Sequence, residues 1–282
     1  MKTTSRLARF GIQVLDAVCL LIVLAVAGFG GYSLYARNQI REAGSSQEMM
    51  KYKPADGTKS LHELMEKNPD VIGWITMNGT RIDQPVVQGK DDSEYLNRDA
   101  EGRFSLAGSV FLTCENHPDF SDSYNLLYGH HMEEGGMFGD VIEYLDGSFF
   151  RKHQTGTLTT GDGRWQIHVF AVLKTGASDP YVYRTCETDE LLAYLKKKAR
   201  WYEEPDGQHL IALSTCYSRV TEGRVILFGT LNEKDRNDPR SGRFSVCTRH
   251  GIHPVAVVKV QAQLACRQVQ GSTSVPAAVR GV

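Results

Sequence analysis

The sequence predicts a mostly β domain whose strands close, or nearly close, into a barrel behind one apolar N-terminal helix. Three observations lead there. Eight short β-like runs, bounded by turn residues, follow one another between residues 71 and 231. From residue 60 to 231 only three stretches carry helical signals. Residues 17–35 contain no charged side chain at all. With so many strands and so few helices, closure is the economical way to leave no sheet edge exposed.

The N-terminal elements come first. Lys2, Arg6 and Arg9 precede the uncharged run from Ala17 to Tyr35, which is nineteen residues long. A helix of that length crosses a hydrocarbon core of roughly 30 Å. Cations before the run favour an N-terminus left in the cytoplasm. Ala25-Val26-Ala27 has the small-x-small form of a signal-peptide cleavage site. The apolar run nevertheless continues through Phe29, Tyr32, Leu34 and Tyr35, which suits an anchor better. We therefore expect a cytoplasmic segment at 1–13, a transmembrane anchor at 14–37 and a polar linker at 38–59.

Beyond the linker, Ser60-Leu61-His62-Glu63 has the spacing of a capping box, opening a helix that stops at Asn68-Pro69. Strands are expected near 71–77, 81–88, 108–113, 124–129, 156–160, 164–174, 208–215 and 224–231. Asn78-Gly79 and Gly161-Asp162-Gly163 read as hairpin turns. Helices are expected at 137–146 and at 188–201, the second with Thr188 as N-cap and Leu191, Leu192, Leu195 and Ala199 as its apolar stripe. From residue 233 onward eight Lys/Arg stand against three acids, and Val255–Val260 is the one strand-like stretch. This composition predicts a disordered tail over 232–282, outside a folded domain at 60–231.

A net charge of −1 points away from nucleic acid as a partner. The six cysteines, at 19, 114, 186, 216, 247 and 266, form no CxxC pair and no zinc-like spacing. Cys114 reads as a small half-buried hydrophobe at a strand end, and a disulfide to Cys186 stays open.

Cys216 has a different context. The run His209–Thr215 ends in this cysteine, a seven-residue connection follows, and Gly223-Arg224 opens the next apolar run. If the two runs pair as a hairpin, Cys216 and Arg224 meet across its open end. A guanidinium beside a thiol favours the thiolate. It also keeps its charge at any working pH and can hold an oxygen that turns negative during acyl transfer. Upstream, Tyr128-Gly129-His130 ends another β-like run, with Gly129 expected to let the backbone turn and present the imidazole at the same rim. Histidine titrates in the range a leaving amine requires. Each residue also has a plainer reading: a buried thiol, a capping histidine, a surface arginine.

Leu213-Ser214-Thr215-Cys216, with Arg224 eight residues on, resembles the TLxTC…R signature of sortases. LLYGHHMEEGGMFGDV resembles the histidine motif of class B sortases, and DVIGWITMNGTRIDQPVVQGKDDSEYLNRD and AGSVFL are similar to the N-terminal half of that class. The similarity covers about residues 60–231 with the motifs in order. It implies an eight-stranded β-barrel and a transpeptidase of the Gram-positive cell surface that needs no metal or cofactor. By motif, Cys216 would attack the Thr carbonyl of an NPxTx- or LPxTx-like sorting signal, His130 would move the proton, and Arg224 would bind substrate and the oxyanion. The acceptor would be an amine of a cell-wall precursor or a pilin lysine. The catalytic domain would then lie outside the cell.

The chain departs from that pattern in places. His131 stands where the family often has Asn, but neighbours on an extended strand point to opposite faces, which argues against a His130-His131 metal pair. Ser218 stands where some members carry an acid, so no catalytic Asp is assigned. Asp179-Pro180-Tyr181 is similar to the lid of class C pilin sortases but follows the long strand, so it reads as a loop turn. Two other functions compete: another cell-wall cysteine peptidase or L,D-transpeptidase, and an inactive membrane-tethered binding module. The first would carry its histidine two residues before the cysteine or on a segment downstream, and the second would lack one of the three residues.

Overall fold

Short alternating runs of Val, Ile, Leu and Thr become strands here because each buries one face in a common core and the other under a helix or loop. The computed structural model describes residues 2–44, 49–54, 59–132, 136–183, 188–216 and 223–234. They divide into two units between Ile40 and Arg41. Helix α1 (Lys2–Gly44), which makes up the first apart from its last residues, contains Ile12–Tyr35, 24 residues with mean hydropathy 2.5 and no part buried within the protein. A stretch this long and apolar on every side fits a membrane anchor.

The second unit is the barrel. Its strands are β1 (Val71–Met77), β2 (Asp83–Val87), β3 (Val110–Leu112), β4 (Tyr124–Tyr128), β5 (Thr155–Thr160), β6 (Arg164–Gly176), β7 (Trp201–Tyr202), β8 (Leu210–Cys216) and β9 (Gly223–Lys234). Eight of them close in the order β5-β1-β2-β3-β4-β8-β9-β6, with β6 returning to β5, while the two-residue β7 extends the wall beside β6. The pairings β2–β3 and β4–β8 are parallel and the rest antiparallel. The eight-stranded barrel expected from the resemblance is therefore the fold.

Alternation along the strands sorts the side chains. Ile75, Val86, Leu112, Leu127, Val169, Leu213 and Leu227 fill the barrel. Their neighbours Leu126, Ala212, Ile226 and Phe228 point outward beneath helix α4 (Thr188–Lys198). On the far wall Trp74, Val87 and Phe111 pack beneath helix α2 (Lys59–Lys67), together with Met49 and Tyr52 of a 3-10 turn inside the segment read as linker.

Several local expectations change. Ser60 lies inside α2 and not before it; its hydroxyl donates to the Lys53 carbonyl at 2.9 Å and ties the helix to the preceding segment. The helix expected at 137–146 is a 3-10 turn, Gly139–Leu145, followed by a separate helix α3 (Gly147–Lys152). Asp146 is the reason: its carboxylate accepts from Ser148 N and Phe149 N and starts a new helix where the old one would have continued. Helix α4 stops at Lys198 instead of 201, because Arg200 N donates to the Val172 carbonyl and Trp201 pairs with Val172 in β7. Cys186 and residues 235–282, with the expected tail and its Val255–Val260 stretch, lie outside the described residues.

Candidate active site

Two parallel strand ends build the site. Strand β4 runs beside β8, pairing Tyr128 with Ser214, so the residues that follow Tyr128 and those that end β8 arrive at the same rim. Gly129 N donates to the Ser214 carbonyl at 3.1 Å and carries the register one residue further. On the other side β8 and β9 form the antiparallel hairpin, whose last register pair is Cys216 opposite Arg224. Thr175 of β6 is the register partner of Arg224 on its other flank.

Gly129 serves this arrangement differently from the sequence expectation. Its φ is not positive. A Cβ there would lie 2.6 Å from the Phe138 ring, so the glycine admits a core phenylalanine against the backbone and has no special turn to make. Phe138 N then donates to the His130 carbonyl at 3.1 Å and fixes the segment from the other side.

His130 is half-buried, and its Nε2 lies 3.2 Å from the carbonyl oxygen of Leu96. Burial lowers its pKa below the ordinary value; the Leu96 carbonyl pulls it back up, and the positive charge of Arg224 lowers it further. The ring is neutral at neutral pH and lies within the electrostatic field of Arg224.

Arg224 is only 7% exposed. Its guanidinium donates to the Gly223 carbonyl at 3.2 Å, and among the described residues no carboxylate pairs with it. Burying a cation without an anionic partner is costly. Arg224 is therefore not the surface arginine of the plainer reading. Cys216 lies on the strand opposite, as the register partner of Arg224.

Two residues to which the sequence reading gave no role of their own, Tyr183 and Ser214, complete the surroundings. Tyr183 stacks on Tyr128 with centroids 6.3 Å apart and planes 6° apart, and its hydroxyl is 3.4 Å from Ser214 Oγ. Burial raises the Tyr183 pKa while Ser214 and Arg224 lower it, which puts this phenol in the same field as His130. Ser214 was visible only as one letter of LSTC, and Tyr183 only as a residue beyond the Asp179 turn. That turn is as expected: Asp179 accepts from Tyr181 N at 3.0 Å and from Thr175 Oγ1 and Tyr194 Oη at 2.6 Å each. By the alternation of β8 and β9, Ser214 and Arg224 belong with the outward-facing Ala212 and Ile226, so the site sits on the outer wall of the barrel and not in its lumen.

Cys114 is a poor rival for the nucleophile. Desolvation of its sulfur and the neighbouring Asp92 carboxylate push its thiol up to about 12. At neutral pH it stays protonated and unreactive. Among the described residues no group of three or more His, Cys, Asp or Glu side chains converges as a metal site.

Comparison with known proteins agrees with this architecture. No protein-family model matches the chain. It is 31% identical over 183 residues to the sortase B of Listeria monocytogenes, covering 62% of this chain and 74% of the relative. A Streptococcus pyogenes class B sortase involved in pilus biogenesis superposes with a TM-score of 0.57 at 36% identity, over 61% of this chain and 97% of that one. The substrate complex of Staphylococcus aureus sortase B superposes at 0.58 with 28% identity, over 70% and 96% of the two chains.

Proposed function

This chain belongs to the class B sortases, cysteine transpeptidases of the cell surface, and from that premise we propose that it cleaves a sorting signal after Thr and passes the freed protein to an amine. The nucleophile is Cys216, the acid–base group His130 and the oxyanion ligand Arg224. The observation that carries this reading is the buried guanidinium of Arg224, without a carboxylate partner among the described residues and directly opposite the cysteine in register.

The steps follow from these groups. The Cys216 thiolate adds to the Thr carbonyl carbon, and the oxygen that becomes negative is received by Arg224. His130, neutral at rest, becomes the imidazolium by taking the Cys216 thiol proton as the thiolate forms, and gives that proton to the leaving nitrogen; the C–N bond breaks, the C-terminal fragment departs and a thioester remains. An incoming amine then attacks the thioester and yields its proton to neutral His130. The C–S bond breaks and the thiolate returns. The signal is of NPxTx or LPxTx type. The acceptor is an amine of a cell-wall precursor or a pilin lysine, and the link to pilus biogenesis of the Streptococcus pyogenes relative supports keeping the second. Helix α1 holds the protein in the membrane as a single pass, with the barrel outside and the N-terminus in the cytoplasm; its 24-residue apolar stretch supports this reading.

The test uses the full chain in detergent micelles, peptide libraries of both signal types and an added soluble amine. Mass spectrometry should find cleavage after Thr and, with the amine present, the exchanged product. Cys216→Ala should remove both products, whereas Cys114→Ala should keep most of the activity. A Cys216→Ala protein retaining more than a few percent of turnover would remove this cysteine as nucleophile.

A further inference from the structure

We propose that Gly108 is a positioning residue for His130, acting through the Leu96 carbonyl that selects which ring nitrogen carries the proton. The proposal rests on the reading of His130 as the acid–base group. A carbonyl oxygen can only accept, so the 3.2 Å contact to Leu96 requires a proton on His130 Nε2. In the neutral ring Nδ1 is then the nitrogen with a free lone pair, and it is the atom that takes and returns the reacting proton.

What holds that carbonyl in place is unusual. Leu96 closes a 3-10 turn (Glu94–Leu96) whose buried Tyr95 is pinned at its hydroxyl, which donates to Asp70 at 2.8 Å and accepts from Asn68 at 2.9 Å. The chain then makes an excursion and returns at Gly108, where Ser109 N donates to the Tyr95 carbonyl at 3.0 Å. Gly108 has φ +63, and a Cβ there would lie 2.5 Å from Leu96 O and 2.7 Å from Tyr95 O. Real Cβ atoms do not approach that closely, and neither contact is with a flexible side chain that could move aside. Any side chain at 108 must therefore displace the one carbonyl that orients the imidazole. Asparagine tolerates positive φ but meets the same two oxygens.

The displaced carbonyl has a chemical signature. Of the influences on His130, the Leu96 contact is the one that favours the charged ring, against burial and Arg224. Losing it lowers the titration midpoint further and frees the tautomer. The acid–base step weakens while substrate binding is largely spared, so kcat should fall by at least about tenfold with little change in KM; loss of the whole acid–base group would cost about 10²–10⁴-fold.

The experiment is a pH titration of the histidine rings in the full-length, ¹⁵N-labelled protein in micelles, with the His130 signal assigned by its loss in His130→Gln. The wild-type ring should be neutral at pH 7 with its proton on Nε2. Gly108→Ala should move the midpoint to lower pH and populate the other tautomer. Tyr95→Phe, which frees the pinned hydroxyl without adding bulk, should do the same to a smaller degree and decides the matter should the alanine variant fail to fold. A wild-type ring protonated on Nδ1, or a folded Gly108→Ala with unchanged tautomer and midpoint, overturns the proposal. If instead His130→Gln keeps normal turnover while the ring behaves as described, the acid–base reading of His130 fails and the Gly108 contact stands as structure alone.

Discussion

Arg224 acts on His130 because the guanidinium and a protonated imidazole carry charge of the same sign. The guanidinium depresses the His130 pKa, so it keeps the ring neutral until charge develops elsewhere in the site. Arg224→Gln removes that charge and should raise the His130 midpoint, visible in the same ring titration; an unchanged midpoint would mean the two groups do not sense each other. Arg224→Lys separates charge from shape. The ammonium keeps the charge but loses the planar fork, and turnover should drop by about 10²-fold, the scale of losing one oxyanion donor. The loss should appear in kcat more than in KM, because the contact strengthens as the oxyanion forms. Steady-state kinetics on matched peptides would read it, and near-normal turnover would return Arg224 to a structural role.

At the scale of elements, the short 3-10 turn Met49–Tyr52 behaves as part of the barrel wall. Met49 is 7% and Tyr52 3% exposed, packed with Leu61, Leu64 and Ala100. The Tyr52 hydroxyl donates to Glu101 at 2.8 Å and receives Lys67 at 2.5 Å. Sequence reading puts this turn within a polar linker, since two apolar residues among many polar ones carry no periodicity. Tyr52→Ala should destabilise the domain by about 3 kcal/mol, the lower end for deleting a buried aromatic, as a shift in the urea midpoint. A change near zero would mean that the turn merely rests on the surface. A chain beginning at residue 60 should show a comparable loss.

For the molecule as a whole, two half-buried imidazoles set an acid limit. His130 and His209 both have lowered pKa values, chiefly from burial, and His209 Nε2 lies 2.6 Å from the Phe120 carbonyl. Unfolding releases these rings to an ordinary pKa of about 6.5, so below that pH the unfolded chain binds more protons than the fold does. The stability they contribute is complete above about pH 6.5 and is lost as pH falls through the folded-state values. Asp92 and Glu115, whose carboxyls burial pushes up, act with the opposite sign at lower pH. Urea unfolding at about pH 7.5 and about pH 5.5 should show the loss, and it should be smaller in His209→Gln. Equal losses in the two proteins would take His209 out of this account.

Much of this protein is legible from its residues in order. Local pattern determines the apolar helix, the strand runs and the β8–β9 hairpin, because periodicity and turn chemistry act over a few neighbours. The hairpin also brings Cys216 and Arg224 together by register alone, and the resemblance supplies His130. What only the tertiary structure decides depends on contacts between residues distant in sequence. The 3-10 turn and α3 in place of one helix, the β7 strand where a helix was expected, and the Tyr52 clasp each trade a local preference for a remote partner. The Leu96 carbonyl is the clearest case. It is a backbone atom with no side-chain signature, 34 residues from His130 and held in place by a glycine 12 residues further along. Barrel closure makes them neighbours, and a one-dimensional reading has no term for that.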